Sequence, residues 1–418
     1  MPGTAGYRLA HRPATQTPSS MQTHSTTRAH GWQIAVFVGA VFCYWVGLYL
    51  YAPTLPIYVK QYSSHLGVIG LVLSMYGLWQ ALLRFPVGVT SDLLGRAKPF
   101  ILFGYLLTAL GAWLIGFADN IFWIGVGRSV TGLAAATWVP IVVVFSRFFP
   151  PAQAIRATAL MAMVGGAARI LATGATGFVN SAGGYSLAFN LAAVAAVLAL
   201  VLMLLVRETP RAPTKPSLGP IAALASRPHV LFPALLNAAS QFVNWAVTFS
   251  FIPILAVNKG ASDVEVSLLM TVFMAVNLVG LSTTAAFVNR LGARKLVRTG
   301  FLLLGMATVL AAWAPTVWWL FLAQGLVGLA TGIGYPTLMG LSIREVSDHE
   351  RTAAMGLHQG IYGVGMFTGP FIAGFLSEQF GIQTTFLLLA VPCLLLLVPQ
   401  VGGRLLLPAT ADPAEAGH

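Results

Sequence analysis

The chain has 418 residues, 57% of them hydrophobic and only 8% charged, with a formal net charge of +12. Soluble domains carry about 25% charged residues, so this composition excludes an ordinary soluble enzyme and marks an integral membrane protein. The Lys and Arg are scattered over connecting loops rather than gathered with aromatics on one domain, so no nucleic-acid partner is expected.

Residues 1–30 are polar, contain no Asp or Glu and lack the apolar core a signal peptide needs, and read as a disordered cytoplasmic tail. Twelve apolar runs follow, each close to the roughly 20 residues that span a hydrocarbon core of about 30 Å. Six of them, near 32–53, 66–89, 98–117, 120–146, 153–179 and 184–206, make an N-terminal bundle over 31–206. The Pro-rich, basic stretch 207–228 reads as a cytoplasmic linker. Six more, near 230–257, 264–288, 296–314, 316–342, 352–377 and 382–401, make a C-terminal bundle over 229–401, and 402–418 is a second cytoplasmic tail. The expected fold is therefore all-α, with twelve transmembrane helices in the lipid bilayer.

Positive residues near span ends are held on the cytoplasmic side. With both termini inside the cell, 18 of the 23 Lys and Arg are cytoplasmic, and only Lys60 and Lys259 lie outside. Arg84, Arg128 and Arg169 fall within spans. This places the protein in the plasma or inner membrane. Cys43 and Cys393 both lie inside spans, so neither a disulfide nor a metal cluster is expected, and no cofactor motif is present.

An internal repeat sets the architecture. Shifted by 196 residues, RSVTGLAAATWVP from Arg128 lies over QGLVGLATGIGYP from Gln324, matching Gly132 to Gly328, Leu133 to Leu329, Ala134 to Ala330 and Pro140 to Pro336. The fourth span and the tenth are copies. In the same way Arg156, Gly165, Thr173 and Gly174 of the fifth span fall on Arg351, Gly360, Thr368 and Gly369 of the eleventh. Two six-span halves of like orientation follow.

The loop after the second span, GVTSDLLGRAK, resembles the signature loop of the major facilitator superfamily through Gly88, Asp92, Gly95, Arg96 and Lys98. A decayed copy, AAFVNRLGARK, stands at Ala285 to Lys295 with Asn289 at the acidic position. Arg128, Gly132 and Ala136 match the superfamily's helix 4 pattern, and Pro53 and Pro56 its first-helix proline pair. The resemblance covers about 31–401. It implies a secondary transporter whose two halves rock around a site near the bilayer midplane, with Asp92 and its basic neighbours as a gating loop. A Gly-Pro signature of the drug:proton antiporter branch is missing from GGAARILATGATG, where Arg169 is inserted instead.

Polar residues inside spans carry the remaining information, because each is costly unless it faces the protein interior or water. Asn237, Gln241, Asn244 and Thr248 recur on one helical face of the seventh span. Gln324, Thr331 and Tyr335 on the tenth and His358, Gln359 and Tyr362 on the eleventh are set similarly. Such stripes either line a cavity or join helices; the cavity reading makes Asn237, Gln241, Asn244, Gln324, Tyr335, His358, Gln359 and Tyr362 solute contacts. Tyr76, Gln80 and Arg84 form a further stripe on the second span, where Arg84 is near enough to the end to snorkel. Gly365 and Gly369, at small-xxx-small spacing, suit close helix packing.

Arg128 and Arg169 lie deep in their spans, while all eleven Asp and Glu sit in loops, tails or span ends. A positive core without a fixed counter-ion favours a small anionic organic solute, with Arg128 and Arg169 as its contacts. Among side chains that titrate near neutrality, His358 is the candidate should protons be the coupling ion. The alternatives are a proton-coupled multidrug efflux antiporter and, in another class, a receptor or scaffold that transports nothing. No nucleotide-binding, zinc-protease or nucleophile-elbow motif is present, so an enzyme is not expected. The protein is expected to act as a monomer.

Overall fold

A computed structural model describes residues 20–150, 153–208, 223–347 and 350–396. The expected tails at 1–19 and 397–418 and most of the expected linker, 209–222, lie outside the described residues. The helices are α1 (Ser20–Tyr49), α2 (Leu55–Lys60), α3 (Leu66–Leu93), α4 (Lys98–Gly116), α5 (Ile121–Ala135), α6 (Trp138–Ser146), α7 (Ala154–Leu205), α8 (Pro228–Ala246), α9 (Ile252–Asn258), α10 (Asp263–Leu291), α11 (Ala293–Trp313), α12 (Val317–Ile343), α13 (Arg351–Phe380) and α14 (Ile382–Leu395). The first helix begins at Ser20, inside the stretch expected to be a disordered tail.

By length and composition, ten helical stretches among the described residues can cross a membrane. One of these is α7, whose 52 residues would run roughly 78 Å as a straight helix, more than twice the hydrocarbon thickness. Non-helical backbone at Gly183 and Gly184 divides it. The first arm passes Trp45 at Gly165 and the second passes Gly39 at Leu202, so the arms run back alongside each other as the fifth and sixth spans. Adding the shorter α14 gives the expected twelve.

The two halves repeat in detail. Each signature loop turns on a glycine with positive φ, Gly95 (63°) and Gly292 (77°), a backbone region that favours glycine. Each half also interrupts its first helix. Residues 50–54 separate α1 from α2, and at the equivalent place Val247–Phe251 forms a π-helical turn between α8 and α9. Prolines explain both interruptions, since Pro53, Pro56 and Pro253 lack the N–H that an uninterrupted helix needs. Beside the breaks, the Leu50 carbonyl accepts from the Thr176 hydroxyl of α7 (2.7 Å), and that of Trp245 from Ser250 of its own span (2.9 Å).

Glycines let the halves meet closely. A side chain at Gly77 would strike the backbone of Met366, and one at Gly363 that of Ala81, so α3 and α13 cross almost backbone to backbone. Within the C-terminal half, Gly365 and Gly369 press on the Ala238 and Phe242 carbonyls of α8, the packing role their spacing suggests. Exposed Trp113, Trp123, Trp313, Trp318 and Trp319 all cluster at the end of the bundle that bears Lys60, where amphipathic rings suit the headgroup layer.

Candidate functional site

The halves are pinned together at the Lys60 end. Lys60 donates to Asn258 Oδ1 (3.1 Å), and Glu378 accepts from His65 Nδ1 (2.9 Å) and from the Gly67 amide (3.1 Å). Asn180 donates to Asp263 Oδ2 (2.9 Å) and to Thr54 (3.0 Å), while the Tyr185 hydroxyl reaches Asp263 Oδ1 (3.3 Å). Three pairs of helices, one from each half, thus close that end over the middle of the bundle.

Beneath this closure, rings and guanidinium groups replace the usual ion pairs. Arg128 is 6% exposed, and its guanidinium lies over the Tyr76 ring at 4.3 Å. Tyr76 stacks on Trp245 of the other half (5.4 Å), and Trp245 on Phe249 (4.2 Å). A row of stacked groups therefore crosses from α5 through α3 to α8. Arg169 lies over Trp45 (4.9 Å) and Tyr49 (5.7 Å), and Trp45 meets Trp138 edge-on (5.2 Å). Neither arginine has an ion pair among the described residues. Arg128 Nε, the Tyr51 hydroxyl, Trp45 Nε1 and Asn244 Oδ1 are buried without a hydrogen bond among the described residues.

A polar bridge joins the halves on the other side of this space. Arg84 donates to Gln359 Oε1 (2.7 Å) and to Gln80, and Gln359 donates to the Tyr335 hydroxyl (2.8 Å). Tyr335 and Tyr362 meet edge to face (5.6 Å). Groups from α3, α12 and α13 thus meet in one region.

Of the residues expected to meet solute, Arg169, Tyr335, Gln359 and Tyr362 are half-buried, the last three in this bridge. The seventh-span stripe is closed off in this structure. Asn237, Gln241, Asn244 and Thr248 are all at most 4% exposed, and they serve contacts within the C-terminal half. Asn244 donates to Gln241 (3.2 Å) and Thr248 to Gln324 (3.0 Å). Asn237 is bound to His358 Nε2 (2.8 Å), and His358 Nδ1 to Ser342 (2.7 Å). Because the Ser342 hydroxyl donates onward to the Val230 carbonyl (3.1 Å), it accepts from His358 Nδ1–H, leaving Nε2 to accept from Asn237. His358 is fully buried, with both ring nitrogens hydrogen-bonded. Gln324, 1% exposed, is likewise sealed.

Arg84, Gln80, Trp45, Tyr49 and Trp138 belong to the site although they were not among the expected contacts. The Tyr76, Gln80, Arg84 stripe was the signal for two of them; Arg84 does not snorkel but turns inward to Gln359. Nothing in the local sequence distinguishes Trp45 from a lipid-facing tryptophan.

In the signature loop, Gly95 makes the turn and its amide returns to the Asp92 carbonyl (3.2 Å). Lys98 is not a contact between halves: its ammonium binds the Leu204 (3.0 Å) and Val206 (2.6 Å) carbonyls at the end of α7. Glu208 caps the N-terminus of α4 by accepting from the Ala97 (2.7 Å) and Lys98 (3.0 Å) amides, with Arg147 at 3.8 Å. A carboxylate is stabilised there by the helix dipole. The loop is thereby fastened to its own half.

Twelve spans in two repeated halves, enclosing a polar and aromatic region deep in the bundle, define a multi-pass membrane transporter rather than an enzyme. The profile of the Major Facilitator Superfamily matches residues 37–242 and 234–417, and the chain belongs to that superfamily. Among its relatives is the uncharacterized MFS-type transporter YceJ of Bacillus subtilis, 26% identical over 366 residues that cover 85% of this chain and 92% of YceJ. The class H tetracycline resistance protein of Pasteurella multocida is 24% identical, over 79% of this chain and 85% of its own. The crystal structure of a bacterial homologue of the human lysosomal transporter Spinster, inward-facing and unoccupied, shares the fold. It has a TM-score of 0.74 at 16% identity, covering 90% of this chain and 96% of that one.

Proposed function

We propose that this transporter moves a small organic anion by alternating access, as a monomer with both termini in the cytoplasm. The observation that carries this reading is the pair of arginines, Arg128 and Arg169, set deep in the bundle with aromatic faces but no carboxylate. A cationic side chain at the bilayer centre costs at least about 2.5–3.5 kcal/mol, and a cation–π contact returns roughly 0.5–2 kcal/mol. The positive potential left over favours a negative solute. On this reading the Lys60 end faces outward and its closure corresponds to a state that loads or releases solute on the cytoplasmic side.

The experiment is uptake by the purified protein in liposomes, comparing organic anions with lipophilic cations of matched size, with and without a pH gradient. Anion flux that exceeds cation flux supports the reading. Cation efflux driven by the gradient supports the second reading, proton-coupled multidrug efflux, which the similarity to the tetracycline resistance protein favours. Flux of neither indicates a receptor or scaffold. The signature loop carries a separate expectation, that Asp92 sets the balance of states: Asp92→Asn lowers the transport rate while solute affinity stays within a few-fold, and lost binding at an unchanged rate of switching would contradict it.

A further inference from the structure

The two deep arginines are not equivalent. Arg128 is 6% exposed, with one face of its guanidinium covered by Tyr76, which is backed in turn by Trp245. Arg169 is half-buried and held on three sides. Its Nε donates to the Gly165 carbonyl one turn back (3.0 Å), and its plane rests on Trp45 and Tyr49. Its two terminal nitrogens make no hydrogen bond to the described residues. With Nε tied down, those nitrogens form a fork whose paired N–H groups match the two oxygens of a carboxylate.

The surroundings add to this. In the opposite half the Tyr362 ring meets Tyr335 edge to face (5.6 Å) and its hydroxyl has no described partner, while Tyr335 accepts from Gln359 and keeps its own proton to donate. Trp45, 8% exposed, carries an unpartnered Nε1. Trp138 is half-buried and edge-on to Trp45 (5.2 Å), the ring that carries the guanidinium. Donors thus come from both halves, with aromatic rings beside the guanidinium.

Resting on the anion reading above, we propose that Arg169 is the residue that grips the solute, through a bidentate contact to a carboxylate, and that the solute carries a flat aromatic ring seated against Trp138. Arg128 is then a staple of the N-terminal half that adds positive potential without touching the solute. Tyr362 and Tyr335 supply hydroxyl donors from the other half, so that a bound carboxylate bridges the two.

The test is equilibrium binding to the purified full-length protein by calorimetry, with four probes: 2-naphthoate, 2-naphthamide, 2-naphthyltrimethylammonium and cyclohexanecarboxylate. The expected order places 2-naphthoate first, ahead of its amide by about 10- to 150-fold, the range for hydrogen bonds to a charged group. Arg169→Gln and Arg169→Lys both lose most of that preference, because a lysine cannot present a fork, whereas Arg128→Gln weakens 2-naphthoate by less than about five-fold. Trp138→Leu weakens 2-naphthoate but not cyclohexanecarboxylate. Equal binding of 2-naphthoate and its amide, a larger loss for Arg128→Gln than for Arg169→Gln, or no binding of 2-naphthoate at millimolar concentration overturns the proposal. Cyclohexanecarboxylate bound in preference to 2-naphthoate removes the aromatic ring but leaves the anion reading intact, and binding of the trimethylammonium probe alone removes both. Should the Arg169 variants fail to fold, the wild-type ratio of 2-naphthoate to amide and the Trp138→Leu result still decide it.

Discussion

The fourth span and the tenth solve the same packing problem with different chemistry. Gly132 of α5 presses on the Tyr76 carbonyl of α3, and its copy Gly328 of α12 presses on the Phe273 carbonyl of α10. One turn earlier each has a long polar side chain beside the interrupted first helix of its half. In the C-terminal half this is Gln324, which accepts from Thr248 within the π-helical turn. In the N-terminal half it is Arg128, in electrostatic contact with Tyr51 of the break at the equivalent position. The architecture requires a glycine and a polar group there, and a neutral amide satisfies it. The charge on Arg128 is therefore an addition specific to one half, and the buried region it creates is positive on one side only.

Exchanging the two side chains tests that asymmetry most strongly. Gln324→Arg places a cation beside Thr248, and the expected loss of stability is about 2.5–3.5 kcal/mol. Arg128→Gln, which copies the tenth span, is expected to stay within about 1 kcal/mol of wild type, a change typical of non-disruptive substitutions. Thermal unfolding in detergent measures both, and equal tolerance of the two changes would erase the distinction between the halves.

The shared part of the repeat should respond symmetrically. A methyl group at Gly132 would come 2.8 Å from the Tyr76 carbonyl oxygen, and one at Gly328 2.5 Å from that of Phe273. Gly132→Ala and Gly328→Ala are each expected to cost about 1–3 kcal/mol by overpacking, while Gly125→Ala, whose nearest neighbour is Val72 at 3.8 Å, serves as the tolerated control. A loss confined to one half would show that the two crossings are not equivalent.

The smallest effect concerns the helix breaks. Thr176→Val removes a donor that another helix supplies to Leu50, and Ser250→Ala one that the seventh span supplies to itself. Hydrogen bonds inside membrane proteins average about 0.6 kcal/mol, so each loss is small. Thr176→Val should be the larger because it also releases α7 from α1. Hydrogen exchange at Tyr51 to Leu55, compared with Thr248 to Ile252, would read the difference locally.

Much of this protein was legible from its residues alone. Apolar run length sets the number of spans, because a bilayer of fixed thickness admits helices of one length class, and the glycines and proline shared by the fourth and tenth spans expose the repeat. The signature loop from Gly88 to Lys98 points to the superfamily, and the acid inventory shows that no carboxylate awaits Arg128 or Arg169 at their depth. Local pattern could not say which face of a polar stripe meets which neighbour. The Asn237, Gln241, Asn244, Thr248 stripe has the spacing of a cavity lining, yet its partners Gln324 and His358, from spans far along the chain, close over it. Arg84 looks interfacial in sequence and turns inward only because Gln359 crosses it from the other half. The rings beneath Arg128 and Arg169 come from other helices, so what shields each cation is decided by tertiary packing.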